Sequence, residues 1–147
     1  MRDSLRSELL PTPVTGIDSN LEIVWVHLHL GKGRSVLVAS AYRVPVTTMH
    51  QKSTDLDDLE QQLQFMIARY PRSTIVVCGD LNMCLLKAAR ENRDELEHRL
   101  NLYDIHITNR VVPTYRPASS LLDIIATNRP DVVRRVGVTR CHLGGTA

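Results

Sequence analysis

The sequence has little cysteine, little net charge and no long apolar run. Its three cysteines among 147 residues are an odd number without CxxC spacing, which argues against a disulfide framework and a structural zinc site. The net charge of +2 neither requires nor excludes a polyanionic partner such as nucleic acid. No stretch approaches the roughly 20 apolar residues that cross a bilayer, and the first residues lack the apolar core of a secretory signal. We therefore expect an intracellular protein without a membrane partner.

The composition is that of an ordinary globular domain, with 43% apolar and 23% charged residues. Residues 1–20 are polar and carry two prolines and a glycine, which predicts an irregular leading segment. No internal repeat, low-complexity tract or linker follows. The sequence therefore predicts one α/β domain over residues 21–147.

Hydrophobic periodicity predicts several strands with two helices between them. Apolar alternation over 21–30 and 35–43, around a turn at 31–34, predicts a hairpin. Thr54 resembles the N-cap of a helix that Pro71 ends. The continuous apolar run 74–78 is typical of a buried central strand. The remaining predicted elements are a helix at about 86–100 and short strands at 105–108, 121–127 and 132–139.

The central run leads directly into Gly79-Asp80-Leu81-Asn82. Gly79 lacks a Cβ, so the backbone can leave the sheet sharply there and a bulky group can approach it. If the backbone stays extended, Asp80 and Asn82 point to the same side and Leu81 packs inward. An ordinary turn is the alternative for these four residues taken alone.

Two other segments carry polar side chains in a strand context. Tyr42 and Arg43 end the second predicted strand, and Asp123 stands inside the apolar run 121–125. A carboxylate in an apolar run costs several kcal/mol unless it is paired or hydrogen-bonded. The sequence therefore predicts a partner for Asp123.

Five pieces in this order resemble the endonuclease/exonuclease/phosphatase superfamily, most closely the apurinic-type endonuclease domain of non-LTR retrotransposons. They are Tyr-Arg-x-Pro at 42–45, the amphipathic helix at 54–70, Gly-Asp-x-Asn at 79–82, Pro-Thr-Tyr-Arg at 113–116 and Ser-x-Leu-Asp at 120–123. The resemblance covers about residues 20–140. It implies an α/β (α+β) fold, a four-layer α/β/β/α sandwich that would be incomplete here at both ends.

This resemblance also implies a chemistry, the hydrolysis of a phosphodiester with Mg²⁺ or Mn²⁺. Asp80 would match the acid that orients or deprotonates the attacking water, and Asp80 with Asn82 would support the metal. Tyr42 would contact the phosphate through its hydroxyl. Asp123 would hold the ring of a catalytic histidine and fix its tautomer.

The partners implied by the resemblance are DNA and the reverse transcriptase domain of the same polyprotein. Arg43, Arg116 and Asn82 are the candidate contacts to DNA phosphate, and a nuclear location is expected. The oligomeric state stays open.

The sequence departs from the family pattern at two places. The family's metal-binding glutamate and asparagine precede the first hairpin, and Glu8 and Glu22 are poor substitutes because we expect them to be solvated acids. The family's final Asp-His pair is also missing, and His142 is a candidate surrogate, although a loop or core histidine is favoured. We expect an internal piece of a larger polyprotein. A DNA-nicking enzyme, a non-catalytic or degenerate piece of one, and a related phosphatase remain open.

Two further sets of residues have alternative interpretations. His27 and His29 alternate on one predicted strand and could clasp a metal, but no third ligand is evident nearby, so a plain strand face is favoured. Cys78 and Cys84 flank the Gly-Asp-Leu-Asn motif, and core thiols are favoured over nucleophiles.

Overall fold

A computed structural model describes residues 5–45, 48–83, 90–109 and 123–137. Six strands in these residues form one sheet, accompanied by two helices, so the predicted mixed α/β class is confirmed. The four-layer sandwich stays a prediction, because the described residues contain this one sheet. The elements are β1 (Arg6–Leu10), β2 (Leu21–Gly31), β3 (Arg34–Arg43), α1 (Met49–Arg69), β4 (Thr74–Asp80), α2 (Arg90–Asn101), β5 (His106–Ile107), β6 (Asp123–Thr127) and a 3₁₀ turn (Pro130–Val132).

The strand order across the sheet is β1-β2-β3-β4-β6-β5. The β3–β4 pair is parallel and the other pairs are antiparallel. A parallel pair needs a crossover, and α1 supplies it. Lys32 and Gly33 connect β2 to β3 with φ values of 53° and 70°, as a two-residue hairpin turn requires. The predicted hairpin is therefore confirmed.

The expectation of an irregular segment over residues 1–20 is wrong for Arg6–Leu10. These residues form β1, which pairs with β2 from Trp25 to His29. Four of its five side chains are exposed and only Leu10 is buried. Because backbone pairing to β2 holds this edge strand, the sequence shows no apolar alternation that could reveal it.

Helix α1 begins earlier than predicted. Its N-cap is Thr48, whose hydroxyl accepts a hydrogen bond from the backbone N–H of Gln51 at 3.3 Å. Thr54, the predicted cap, lies inside the helix and donates its hydroxyl to the carbonyl of His50 at 3.0 Å. The first turns are polar, so the apolar period could not detect them. The helix ends at Arg69, before Pro71.

The sheet has one face covered by α1 and one face that no described helix covers, which we call the covered face and the open face. On the covered face Trp25 is fully buried and its indole N–H donates to Gln62 of α1 at 2.9 Å. On the open face Val24 is 50% exposed and Tyr42 is 46% exposed. None of the described helices is long and apolar enough to span a membrane.

Candidate active site

Three of the residues predicted from the sequence stand side by side at one end of the sheet. Tyr42 on β3 is opposite Asp80 on β4, and Asp80 is opposite Asp123 on β6. Residues paired in this way point to the same face, and here it is the open face. Strands lie about 4.8 Å apart, so the three Cα atoms span about 10 Å. We call Tyr42, Asp80 and Asp123 the polar row.

Gly79 brings β4 close to β3 immediately before the row. Its φ is +134°, and a Cβ at this position would lie 1.8 Å from the carbonyl oxygen of Ala41. No side chain fits there, which confirms that the sequence needs glycine at this point. Asp80 is consequently held at the last residue of a rigid strand instead of in a loop.

Asn82 is attached to the row through its backbone and its side chain. Its φ of +50° is left-handed, which favours the turn over an extended backbone after Asp80, and Leu81 is buried. The N–H of Asn82 donates to the Asp80 carboxylate at 2.9 Å, and its Nδ2 donates to the Arg43 carbonyl at 2.6 Å. Asparagine tolerates this conformation, so the turn itself holds the acid and the amide together.

The position of Arg43 in the structure contradicts its predicted contact with DNA phosphate. Strand alternation puts Arg43 on the covered face, where its Nε donates to Asp55 of α1 at 2.6 Å and both side chains are 1% exposed. Its two terminal nitrogens are buried and have no hydrogen-bond partner among the described residues. Asp55 also accepts from the backbone N–H of Asn20 at 2.8 Å. Arg43 therefore anchors the end of β3 beneath the row.

Asp123 does not carry the burial cost expected from its apolar surroundings in the sequence. Its side chain is exposed, because it begins β6 and points to the open face. The backbone of β6 is fixed by Asn109, whose Nδ2 donates to the Asp123 carbonyl at 2.8 Å and whose Oδ1 accepts from the Ile125 N–H at 2.7 Å. The other predicted site residues, Arg116 and His142, lie outside the described residues.

Glu22, which the sequence suggested only as a poor substitute for the family's metal-binding glutamate, is a neighbour of the row. It is opposite Tyr42 across β2 and β3, on the open face, and it is exposed. A register shift between His29 and Gly31 aligns it there. Counting back from the hairpin turn without this bulge would pair Glu22 with Arg43 instead, so no simple pattern could have placed it.

The donor atoms of the row fit a hard divalent cation. Asp80 and Asp123 offer carboxylate oxygens from adjacent positions, and Mg²⁺ is usually held by one or two carboxylates together with water and substrate phosphate. Mn²⁺ accepts the same ligands. Two residues before Asp80 on β4, burial raises the pKa of the Cys78 thiol, so it is protonated at neutral pH and unsuited to act as a nucleophile.

The comparisons with known proteins concern the family and the fold. A family described as endonuclease–reverse transcriptase matches residues 36–144, which include β3, β4 and β6 and thus the whole row. A comparison with curated proteins gives no match.

Solved structures share the fold at low sequence identity. The endonuclease domain of TRAS1, a telomere-specific non-LTR retrotransposon, has a TM-score of 0.58 and 20% identity over 85% of this chain and 54% of its own. The human nocturnin catalytic domain has the same score and identity over 86% and 48%, and truncated Caenorhabditis elegans TDP2 has 0.52 and 13% over 83% and 51%. The chain thus spans about half the length of these structures.

The fold and the row define a domain of the endonuclease/exonuclease/phosphatase superfamily, as the resemblance implied. Within it, the chain belongs to the endonuclease–reverse transcriptase family.

Proposed function

We propose that this domain hydrolyses phosphodiester bonds in DNA with Mg²⁺, as the nicking endonuclease of a retrotransposon polyprotein that also carries a reverse transcriptase. One observation carries the proposal: a phenol and two carboxylates lie side by side on one open sheet end within the matched family segment. The retrotransposon origin of the TRAS1 domain supports the context. Action in the nucleus follows from a DNA target.

Tyr42, Asp80 and Asn82 each have a proposed role that their chemistry supports. The Tyr42 hydroxyl, on a half-exposed ring, donates a hydrogen bond to a phosphoryl oxygen and holds the scissile group at the sheet end. The Asp80 carboxylate orients the attacking water and accepts its proton. The N–H of Asn82, 2.9 Å from this carboxylate, fixes the direction in which Asp80 presents its oxygens.

Asp80 would hold the Mg²⁺ ion, with the side-chain oxygen of Asn82 or the Asp123 carboxylate beside it. When bound, the ion would polarise the phosphoryl group and offset the charge that develops on it. A two-carboxylate site leaves positions for water and phosphate. The ion would therefore sit where the DNA backbone approaches the open face.

A second candidate is a domain that binds nucleic acid without turnover. The observation that favours it is the composition of the row: no histidine of the described residues aligns with Tyr42, Asp80 or Asp123. A catalytic imidazole held by Asp123 would have to come from outside the described residues, and His142 stays a prediction for that role. Without it, part of the charge stabilisation that usually dominates such catalysis would be missing.

Nicking of supercoiled plasmid with Mg²⁺ tests the proposal, using the chain alone and joined to the sequence that flanks it in its reading frame. We expect Asp80→Asn, which keeps an acceptor for the Asn82 N–H, to lower the nicking rate about 100-fold or more. Asp18→Asn, an exposed acid outside the sheet, is the matched control and should nick normally. Unimpaired nicking by the Asp80 variant contradicts its role, and DNA binding without nicking by either protein supports the second candidate.

A further inference from the structure

A second group of ligand-type side chains lies at the opposite end of the sheet from the polar row. Glu8 on β1 is opposite His27 on β2, and His29 follows two residues later on the same face. One ligand atom of each residue lies within 4.8 Å of the others. His27 stands five residues from Glu22 along β2, about 17 Å at strand spacing, and on the covered face. This cluster is therefore separate from the proposed nuclease site.

The structure supplies the third ligand that the sequence did not reveal. His27 and His29 alone favour a plain strand face, and Glu8 lies in a segment expected to be irregular. The unexpected strand β1 changes this, because its pairing sets Glu8 directly opposite His27. Two imidazoles and one carboxylate are a common ligand set for Zn²⁺ and related transition metals.

The distances are close to those that a metal needs. Ligand atoms about 2.1 Å from a tetrahedral ion lie about 3.4 Å apart, so the three groups must approach by no more than roughly 1.4 Å. His29 and Glu8 are exposed, and such side chains change rotamer freely. His27 is buried and provides the fixed point. A small movement of two exposed side chains is thus enough to form the site.

His27 is held from behind as a metal-binding histidine usually is. Its Nε2 lies 3.3 Å from the Ser73 hydroxyl, which in turn lies 2.6 Å from the hydroxyl of Ser35. A ligating imidazole normally donates its other ring N–H to an oxygen, which fixes tautomer and orientation. Ser73 can be that acceptor, which leaves Nδ1 of His27 for the metal.

The surroundings of His27 also restrict its ring, because the side chain is buried. Its ring also packs at 54° against Tyr70, with centroids 4.7 Å apart. Tyr70 lines a cavity of about 420 Å³ together with Leu10 and Phe65, which opens beside the cluster.

A core histidine without a ligand would explain only part of this arrangement. Packing on Tyr70 and the contact with Ser73 account for His27. They do not account for the exposed His29, whose ring centroid lies 4.2 Å from that of His27, or for the acid opposite. We propose that Glu8, His27 and His29 bind one transition-metal ion of the Zn²⁺ class, which ties the edge strand β1 to β2.

Three protein ligands leave a fourth position for water or for a group that enters from the adjacent cavity. Imidazole ligands favour Zn²⁺ over Mg²⁺, so this site and the nuclease site select different ions. Failure of the Zn²⁺ proposal would leave the proposed nuclease function untouched, since the polar row is at the other end of the sheet and on the other face.

Calorimetric titration of the 147-residue chain with Zn²⁺ at neutral pH tests the proposal. We expect one ion per chain, affinity at least about 10-fold lower in Glu8→Gln and in His29→Gln, and no competition from excess Mg²⁺. Both substituted residues are exposed, so the variants should fold. His50→Gln and Asp18→Asn replace an exposed imidazole and an exposed acid at the other end of the sheet and should bind Zn²⁺ as the unchanged chain does.

Amide hydrogen exchange provides a second measurement that does not depend on affinity. Because Zn²⁺ would join β1 to β2, it should slow exchange in Arg6–Leu10 of the unchanged chain and not of the Glu8→Gln variant. Absence of Zn²⁺ binding overturns the proposal. An affinity in Glu8→Gln and His29→Gln equal to that of the unchanged chain also overturns it, because it would assign the ion to other groups such as the cysteines.

Discussion

The two faces of the sheet are built from the same strands but are used differently. The covered face contains fully buried apolar side chains such as Trp25, Leu37 and Val77. The open face exposes Val24 and Ile125, and the polar row stands at its end. Because side chains alternate along a strand, each residue of the row has a neighbour on the covered face that fixes its backbone.

This difference shows how stability and chemistry are separated in the domain. Arg43 and Tyr42 are adjacent in sequence, yet one is paired with Asp55 in the core and the other is half exposed beside Asp80. Side chains on the open face are consequently available for a ligand because their neighbours stabilise the fold. Substitutions on the covered face should therefore lower stability, whereas substitutions in the polar row should lower activity and leave stability nearly unchanged.

The largest difference is expected between two adjacent residues of β2. Trp25→Ala removes a side chain that is fully buried and hydrogen-bonded to Gln62, so we expect it to lower the free energy of unfolding by about 3–5 kcal/mol. Val24→Ala, on the open face, should cost less than about 1 kcal/mol. Urea unfolding followed by circular dichroism measures both.

Similar losses of unfolding free energy in Trp25→Ala and Val24→Ala would contradict the distinction between the covered face and the open face. They would mean that Val24 is covered in solution, for example by a second copy of the chain, which sedimentation would detect. An exposed Val24 predicts a monomer whose stability does not depend on protein concentration.

A somewhat smaller effect is expected for the adjacent pair at the end of β3. Arg43→Ala leaves the buried carboxylate of Asp55 without its cation, which typically costs about 3–5 kcal/mol. The remaining hydrogen bonds from the Asn20 N–H and the Gln51 Nε2 to Asp55 put our expectation near the lower value. Tyr42→Phe removes only a hydroxyl from a half-exposed ring and should leave the stability unchanged while reducing nicking. Thermal unfolding and the plasmid assay separate the two outcomes, and normal nicking by Tyr42→Phe would remove the phenol from the mechanism.

Much of the fold was predictable because hydrophobic side chains report it. The alternation in β2 and β3, the apolar run of β4 and the stripe of α1 all reflect burial on the covered face. Elements held by backbone or polar contacts left no such signal. Strand β1 exposes four of its five side chains, and the first turns of α1 are polar, so both were missed.

The candidate site was predictable in its members but not in its geometry. The motif identified Asp80 and Asn82, and the register of β3, β4 and β6 then placed Tyr42 and Asp123 beside them. The left-handed conformation of Asn82 and the position of Glu22 depend on a turn and a bulge, which apolar patterns do not encode. Arg43 was assigned to phosphate because its charge was visible in the sequence and its partner on α1 was not.

The smallest effect is expected at Cys78, which lies on the open face two residues before Asp80 on β4. Burial raises the pKa of its thiol above the ordinary value of 9.0, so the reactive thiolate is scarce at neutral pH and increases only as the pH rises past that value. We expect alkylation by iodoacetamide at pH 7.5 to be at least several-fold slower in the folded chain than in urea, as measured by mass spectrometry of the peptide that contains it.

The same measurement tests whether the open face is covered in a longer protein. If a second sheet packs there, as the predicted sandwich requires, Cys78 should become slower to alkylate when the chain is joined to its flanking sequence, and Val24→Ala should become more destabilising. An unchanged alkylation rate would mean that no second sheet covers the open face. DNA could then approach Tyr42 and Asp80 across the full width of the sheet. The rate at one thiol would then distinguish a cleft between two sheets from a flat binding surface.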